Sequence, residues 1–161
     1  MEFDPARLRR RAKTARDKRL INQMSRIVDW ACKKGLNVMV SDEQSYSWGR
    51  DINLKNGRSF QTMLFELLHE CGHYLISRDT TDRFDMGYPV VGTRKIRKQA
   101  RHRVAVLDEE LEAWARGGKL AHRLGIKLDK KRYDLMKASH ITTYCKFVLD
   151  RDVSIAAYAV T

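Results

Sequence analysis

The hydrophobic and polar positions of the chain follow helical patterns over three long segments and extended patterns over two short ones. Apolar residues recur every three or four positions at 20–34, 60–76 and 130–149, so each segment predicts an amphipathic helix. Short apolar runs at 36–40 and 46–54 predict two or three small strands before the second helix. The pattern predicts an α+β fold: a mainly helical single domain with a small two- or three-stranded sheet packed on the helix 60–76.

The remaining segments are polar or irregular and set the expected organisation of the chain. Residues 1–19 are dense in arginine and lysine, which predicts a basic N-terminal arm or helix ahead of a domain over 20–161. Residues 77–92 are rich in turn-forming residues and form a candidate lid. A second basic stretch at 94–103 leads into a helix that we expect to end near Arg116, where a Gly-Gly pair follows.

Two further segments carry weaker expectations. Residues 51–54 are expected to form an edge strand beside the cleft, where an extended peptide could pair with the backbone. Residues 153–160 predict a terminal strand or a tail.

The net charge of the chain indicates which kinds of partner it could bind. The 161-residue chain has 32 Lys and Arg against 20 Asp and Glu, a formal net charge of +12, which favours polyanions such as nucleic acid. A solvated basic surface without a partner is the alternative. No long apolar run predicts a membrane segment or a signal peptide, so we expect a cytoplasmic protein with no membrane partner. A small basic protein of this kind also fits a phage or mobile-element origin.

The helix 60–76 carries the chemistry that stands out in the sequence, His-Glu-Cys-Gly-His at positions 69–73. Residues four apart in a helix lie on one face, about one turn apart, so His69 and His73 can bind a common metal ion. Glu70 is rotated by about 100° from His69, where its carboxylate can act on a water molecule. This His-Glu-x-x-His pattern predicts two zinc ligands and a catalytic base. The alternative is a pair of core histidines that bind no metal.

A zinc ion held by two histidines needs a further protein ligand. On the helix expected after residue 103, Glu109 and Glu112 group on the outer side, whereas Glu110 falls on the inward stripe. That stripe consists of Val106, Leu107, Glu110, Leu111, Ala113, Trp114 and Gly117. A carboxylate among apolar residues needs a positively charged partner, so we predict Glu110 as the third ligand.

Other assignments of the third ligand stay open. Glu109, His102 and His140 are the alternatives, and the inward glutamate could instead pair with one of the arginines. The cysteines include no Cys-x-x-Cys pair, so a thiolate zinc site is not indicated. Ser77 and Asp79 stand where the SprT-like and metzincin patterns require a third histidine, which excludes both patterns.

These motifs resemble those of the ImmA/IrrE family of zinc metallopeptidase-like proteins. Residues 59–73 are similar to the family's metal-binding helix, and 109–115 to its later glutamate-bearing helix. The resemblance implies a leading helix and a small sheet before the metal helix. It also implies Zn²⁺ as the cofactor, His69, His73 and Glu110 as its ligands, and Glu70 as the catalytic base.

The predicted function is a zinc-dependent metallopeptidase that hydrolyses a protein or peptide substrate, near nucleic-acid complexes because of its charge. The alternative is a basic nucleic-acid- or protein-binding module with a structural or vestigial metal site. A peptidase also needs a hydrogen-bond donor for the oxyanion. The candidates for this donor are Tyr88, His102, His140 and Tyr144.

Overall fold

The computed structural model of the protein describes residues 2–48, 50–78 and 100–149. The candidate lid beyond residue 78 and the predicted strand or tail at 153–160 lie outside this range. The described residues form five helices and three strands: α1 Pro5–Arg11, α2 Ala15–Lys33, β1 Asn37–Ser41, β2 Tyr46–Trp48, β3 Asp51–Lys55, α3 Phe60–Ser77, α4 Ala100–Arg123 and α5 Lys130–Leu149. The predicted α+β architecture is confirmed.

The three strands form one sheet in the order β1-β3-β2. β3 runs parallel to β1, with Val38 opposite Ile52, and antiparallel to β2. The prediction that residues 51–54 form an edge strand is therefore wrong, because β3 is the central strand. Its Ile52 and Leu54 are almost fully buried, as expected for a strand that lies between two others.

The N-terminal segment is folded onto the rest of the protein. Phe3 and Leu8 belong to the main hydrophobic core, and the Phe3 amide donates to the Val38 carbonyl of β1. A capping box between Thr14 and Asp17 starts α2 at Ala15. The expected boundary between the basic segment and the domain, after residue 19, therefore lies inside α2.

Helix α3 is the central element of the fold. The Ser59 side chain caps its first turn by accepting from the Thr62 amide. The helix packs most extensively against α4 and also contacts α2, β2 and β3. The apolar face of α3 contributes Met63, Leu64, Phe65, Leu67, Leu68 and Cys71 to the core.

Helix α4 continues to Arg123, so the break predicted at Gly117-Gly118 does not occur. Gly117 has a packing role instead: a Cβ atom there would lie 2.5 Å from the Leu68 carbonyl oxygen of α3. Gly72 of α3 makes the reciprocal approach, since its Cβ would lie 2.0 Å from the Ala113 carbonyl oxygen of α4. These two glycines let α3 and α4 cross in close backbone contact.

Helix α5 packs against α4. The Tyr133 hydroxyl donates to the Trp114 carbonyl oxygen at 2.8 Å, and its ring lies edge-on to Phe65 of α3. In the part of the chain that the structure describes, no helix has the length and apolar character needed to cross a bilayer.

Candidate metal centre

The crossing of α3 and α4 brings the three predicted ligands together. His69 Nε2 lies 3.2 Å from His73 Nε2 and 3.2 Å from Glu110 Oε2, and His73 Nε2 lies 3.4 Å from Glu110 Oε1. His69 and His73 share one face of α3, and Glu110 faces them from α4. His69, His73 and Glu110 thus form a group that can hold a metal ion.

The separation of the two imidazole nitrogens is close to that of two ligands on one tetrahedral ion. Ligand atoms about 2.0–2.1 Å from a tetrahedral ion are about 3.3–3.4 Å from one another. His69 Nε2 and His73 Nε2 are 3.2 Å apart, and each faces a different oxygen of the Glu110 carboxylate, at 3.2 and 3.4 Å. Ring nitrogens and a carboxylate oxygen are also the donor types that zinc accepts.

The burial of the group gives a second indication. Glu110 is 2% exposed and His69 is 3% exposed. Within the described residues, His69 Nδ1 and Glu110 Oε2 are buried without a hydrogen-bond partner. Each such atom costs about 1–3 kcal/mol. An ion bound by Glu110 would satisfy its buried oxygen, so the donor set fits a metal.

The electrostatics of the group follow from burial and from its own charges. Burial lowers the pKa of His69. Burial also opposes charge on His73, but the carboxylates of Glu110, Glu109 and Glu70 together raise the pKa of His73 well above its usual value. Burial alone would raise the pKa of Glu110, yet the imidazoles of His73 and His69 hold it well below the usual range. Without a metal ion, His73 therefore carries a proton that a metal would displace.

Glu109 was predicted to face outward, and this prediction is wrong. Glu109 is 3% exposed, and its Oε1 lies 3.4 Å from His73 Nδ1, the ring nitrogen that does not face the group. Leu111, expected on the buried stripe, is instead 37% exposed. The buried face of α4 is thus shifted toward Glu109, because His73 offers this carboxylate a polar partner inside the protein.

The contact between Glu109 and His73 has the form of an outer-sphere hydrogen bond to a metal ligand. A carboxylate on the far ring nitrogen fixes the tautomer and orientation of a metal-binding histidine. Glu109 is therefore suited to hold His73, and not to bind the ion. No feature of the hydrophobic pattern signals this role.

Replacing Glu109 by glutamine should weaken zinc binding by about 10- to 100-fold, the usual effect of losing such a partner. The dissociation constant would be measured by competition with a chromophoric chelator. Glu112→Gln is the matched control on the same helix, since Glu112 pairs with Arg116 at 2.9 Å. Equal affinities for the Glu109→Gln variant and the wild type would contradict the assigned role.

Trp114 and His140 form one wall of the group. The Trp114 indole stacks on His69, with ring centroids 4.6 Å apart, and its Nε1 donates to His140 Nδ1 at 3.3 Å. Because Nδ1 accepts this hydrogen bond, neutral His140 carries its proton on Nε2. Burial lowers the pKa of His140, and the nearby His69 adds to the effect. No sequence pattern signals the contacts of Trp114 with His69 and His140.

Two of the alternative third ligands, His102 and His140, are not part of the candidate metal group. His102 lies eight residues before Glu110 on α4, about 12 Å along the helix axis. His140 Nδ1 is 3.7 Å from Glu110 Oε2, but that nitrogen already accepts from Trp114. Of the candidates for the oxyanion donor, Tyr144 packs edge-on against His140, and Tyr88 lies outside the described residues.

Glu70 follows His69 on α3 and is also buried, with 6% exposure. Its charge acts on the group, since it raises the pKa of His73 and opposes the lowering at His140. The predicted base therefore lies close to the candidate metal ligands.

The chain matches no family model, and neither the curated proteins nor the solved structures contain a match to it.

Proposed function

We propose that the protein is a zinc-dependent endopeptidase in which His69, His73 and Glu110 bind the metal and Glu70 is the catalytic base. The observation that carries this proposal is the convergence of His69 Nε2, His73 Nε2 and the two oxygens of Glu110, at distances of 3.2 to 3.4 Å, next to Glu70. The arrangement is that expected from the resemblance to the ImmA/IrrE family.

The ligand chemistry favours zinc over magnesium and calcium. Two imidazoles and one carboxylate suit Zn²⁺, whereas Mg²⁺ and Ca²⁺ prefer oxygen ligands throughout. Two histidines and a glutamate leave a tetrahedral ion one position for water or substrate. Bound zinc lowers the pKa of water and polarises a carbonyl group.

The chain's own residues supply the proton transfers. Glu70 accepts a proton from the attacking water and returns it to the nitrogen of the leaving amine, as general base and then general acid. Its low exposure shields this carboxylate from bulk water. His140, with its proton on Nε2, is our candidate for the oxyanion donor, since its ring centroid is 5.0 Å from that of His69.

Glu70→Gln tests this mechanism. The variant should bind zinc like the wild type but cleave at least about 100-fold more slowly, because a positioned base contributes about 10²- to 10⁴-fold. Cleavage of a randomised peptide library would be followed by mass spectrometry, which also reports the cleavage site.

Glu66→Gln is the matched control, one turn earlier on α3. The Glu66 carboxylate accepts from the Ser45 hydroxyl at 2.7 Å and is not one of the candidate metal ligands, so its variant should keep cleavage. A Glu70→Gln protein as active as the wild type would remove the mechanism. A zinc-loaded wild type that cleaves nothing in the library would favour a structural metal in a binding module.

A further inference from the structure

The first helix and the start of the second carry a dense positive charge. Between residues 5 and 19 there are eight lysines and arginines, and the one acidic residue, Asp17, is used in the capping box of α2. We define the N-terminal basic surface as Arg9, Arg10, Arg11, Arg16 and Lys18, all of which are exposed.

Three of the four arginines of this surface are held in place by neutral groups. Their guanidinium nitrogens donate to side-chain amide oxygens of neighbouring elements: Arg9 to Asn22 at 2.9 Å, Arg11 to Asn56 at 2.8 Å and Arg16 to Gln61 at 2.6 Å. An amide oxygen accepts a hydrogen bond but carries no net charge. These contacts orient the guanidinium groups and leave their positive charge uncancelled.

Carboxylates contribute little to this surface. Among the described residues, its one ion pair joins Arg16 to Asp129 at 3.9 Å, and both side chains are about half exposed. An exposed pair at that distance contributes little free energy and is screened by salt. Within the described residues, the positive charge of this surface is therefore little compensated by carboxylates.

The surface is also concave. An open depression of about 470 Å³ between α1 and α2 is lined by Ala6, Arg9, Arg10, Lys18 and Asn22. Three of these residues are cationic and none is acidic. Arg11 and Arg16 extend the positive surface to the start of α3, where the Arg11 guanidinium lies 6.0 Å from the centre of the Phe60 ring.

We propose that the N-terminal basic surface binds the phosphodiester backbone of a nucleic-acid duplex without regard to base sequence. Several oriented cations over two helices match a row of phosphates better than they match a single small anion. Arginine is suited to this role, since its planar fork can hold two oxygens of one phosphate. This binding uses none of the residues of the candidate metal centre.

The test is the salt dependence of binding to a fluorescein-labelled 20-base-pair DNA duplex, with an RNA duplex of the same sequence alongside. For each phosphate contact, the slope of log K against log salt should be about −0.9. The triple variant Arg9→Gln, Arg10→Gln, Lys18→Gln should bind more weakly, with a slope shallower by up to about 2.7.

Lys33→Gln, Lys34→Gln, Lys119→Gln is the matched control, with the same change in net charge. Lys33 is about 22 Å from Lys18 along α2, and this variant should keep most of the wild-type slope. Thermal unfolding by circular dichroism would show that both triple variants fold. Binding of one duplex type alone would identify whether DNA or RNA is the partner.

A single added charge gives a second, independent arm. Asn22→Asp keeps a hydrogen-bond acceptor for Arg9, but the new carboxylate offsets the positive charge of Arg9. Duplex binding should therefore weaken. Gln23→Glu adds the same charge one residue along, where the side chain faces the Lys127 carbonyl oxygen, and should have a smaller effect. Three results would each overturn the proposal: no duplex binding at low salt, equal losses in test and control variants, or equal competition by polyglutamate.

Discussion

A Gly72→Ala variant is expected to be severely destabilised and to lose its affinity for metal. The added Cβ would lie 2.0 Å from the Ala113 carbonyl oxygen and 2.9 Å from the Ala113 Cα, so two helix backbones must separate. Overpacking typically costs about 1–3 kcal/mol, and a clash with backbone belongs at the upper end or beyond it. Separation of α3 from α4 would also draw Glu110 away from His69 and His73.

Urea denaturation and zinc titration of the same preparation would measure both effects. Gly118→Ala is the matched control, since its Cβ would meet only the Tyr133 ring, at 3.7 Å. In a helix interior, alanine is favoured over glycine by about 0.5–1 kcal/mol, so this variant should be at least as stable as the wild type. A Gly72→Ala protein with wild-type stability would contradict the close crossing of the two helices.

Loss of the Glu110 carboxylate is expected to lower zinc affinity by more than about 100-fold, because even an outer partner is worth about 10- to 100-fold. Glu110 is the sole residue of the candidate group that comes from α4. Without it, two histidines on one helix remain, and the ion loses the one carboxylate of the candidate ligand group. His69→Ala should lose affinity to a similar extent.

The hydrophobic pattern predicted the parts of the structure that depend on local sequence. The helix expected at 60–76 is α3, the segment 130–149 is α5, and Glu110 is buried as its place on the apolar stripe indicated. Helical periodicity is a property of the segment itself, so these elements could be identified without knowledge of their neighbours.

The errors occurred where a residue's role depends on another element. The Gly-Gly pair predicts a helix end at Gly117, but Gly117 is the small residue that the close approach of the Leu68 backbone requires. The helical period of the apolar residues puts Glu109 on the outer side of the helix, although His73 gives it a buried partner. The central position of β3 depends on pairing with β1 across the chain, and local sequence carries no signal for strand order.

The most direct test of the proposed metal centre is the zinc content of the purified, tag-free protein. Elemental analysis would compare the wild type with three variants side by side: His69→Ala, Glu110→Ala and Glu112→Ala. We expect about one zinc per chain in the wild type and in Glu112→Ala, and almost none in the other two variants. A wild type that takes up no zinc when supplied with it, or a Glu110→Ala protein that holds as much as the wild type, would contradict the proposed metal centre.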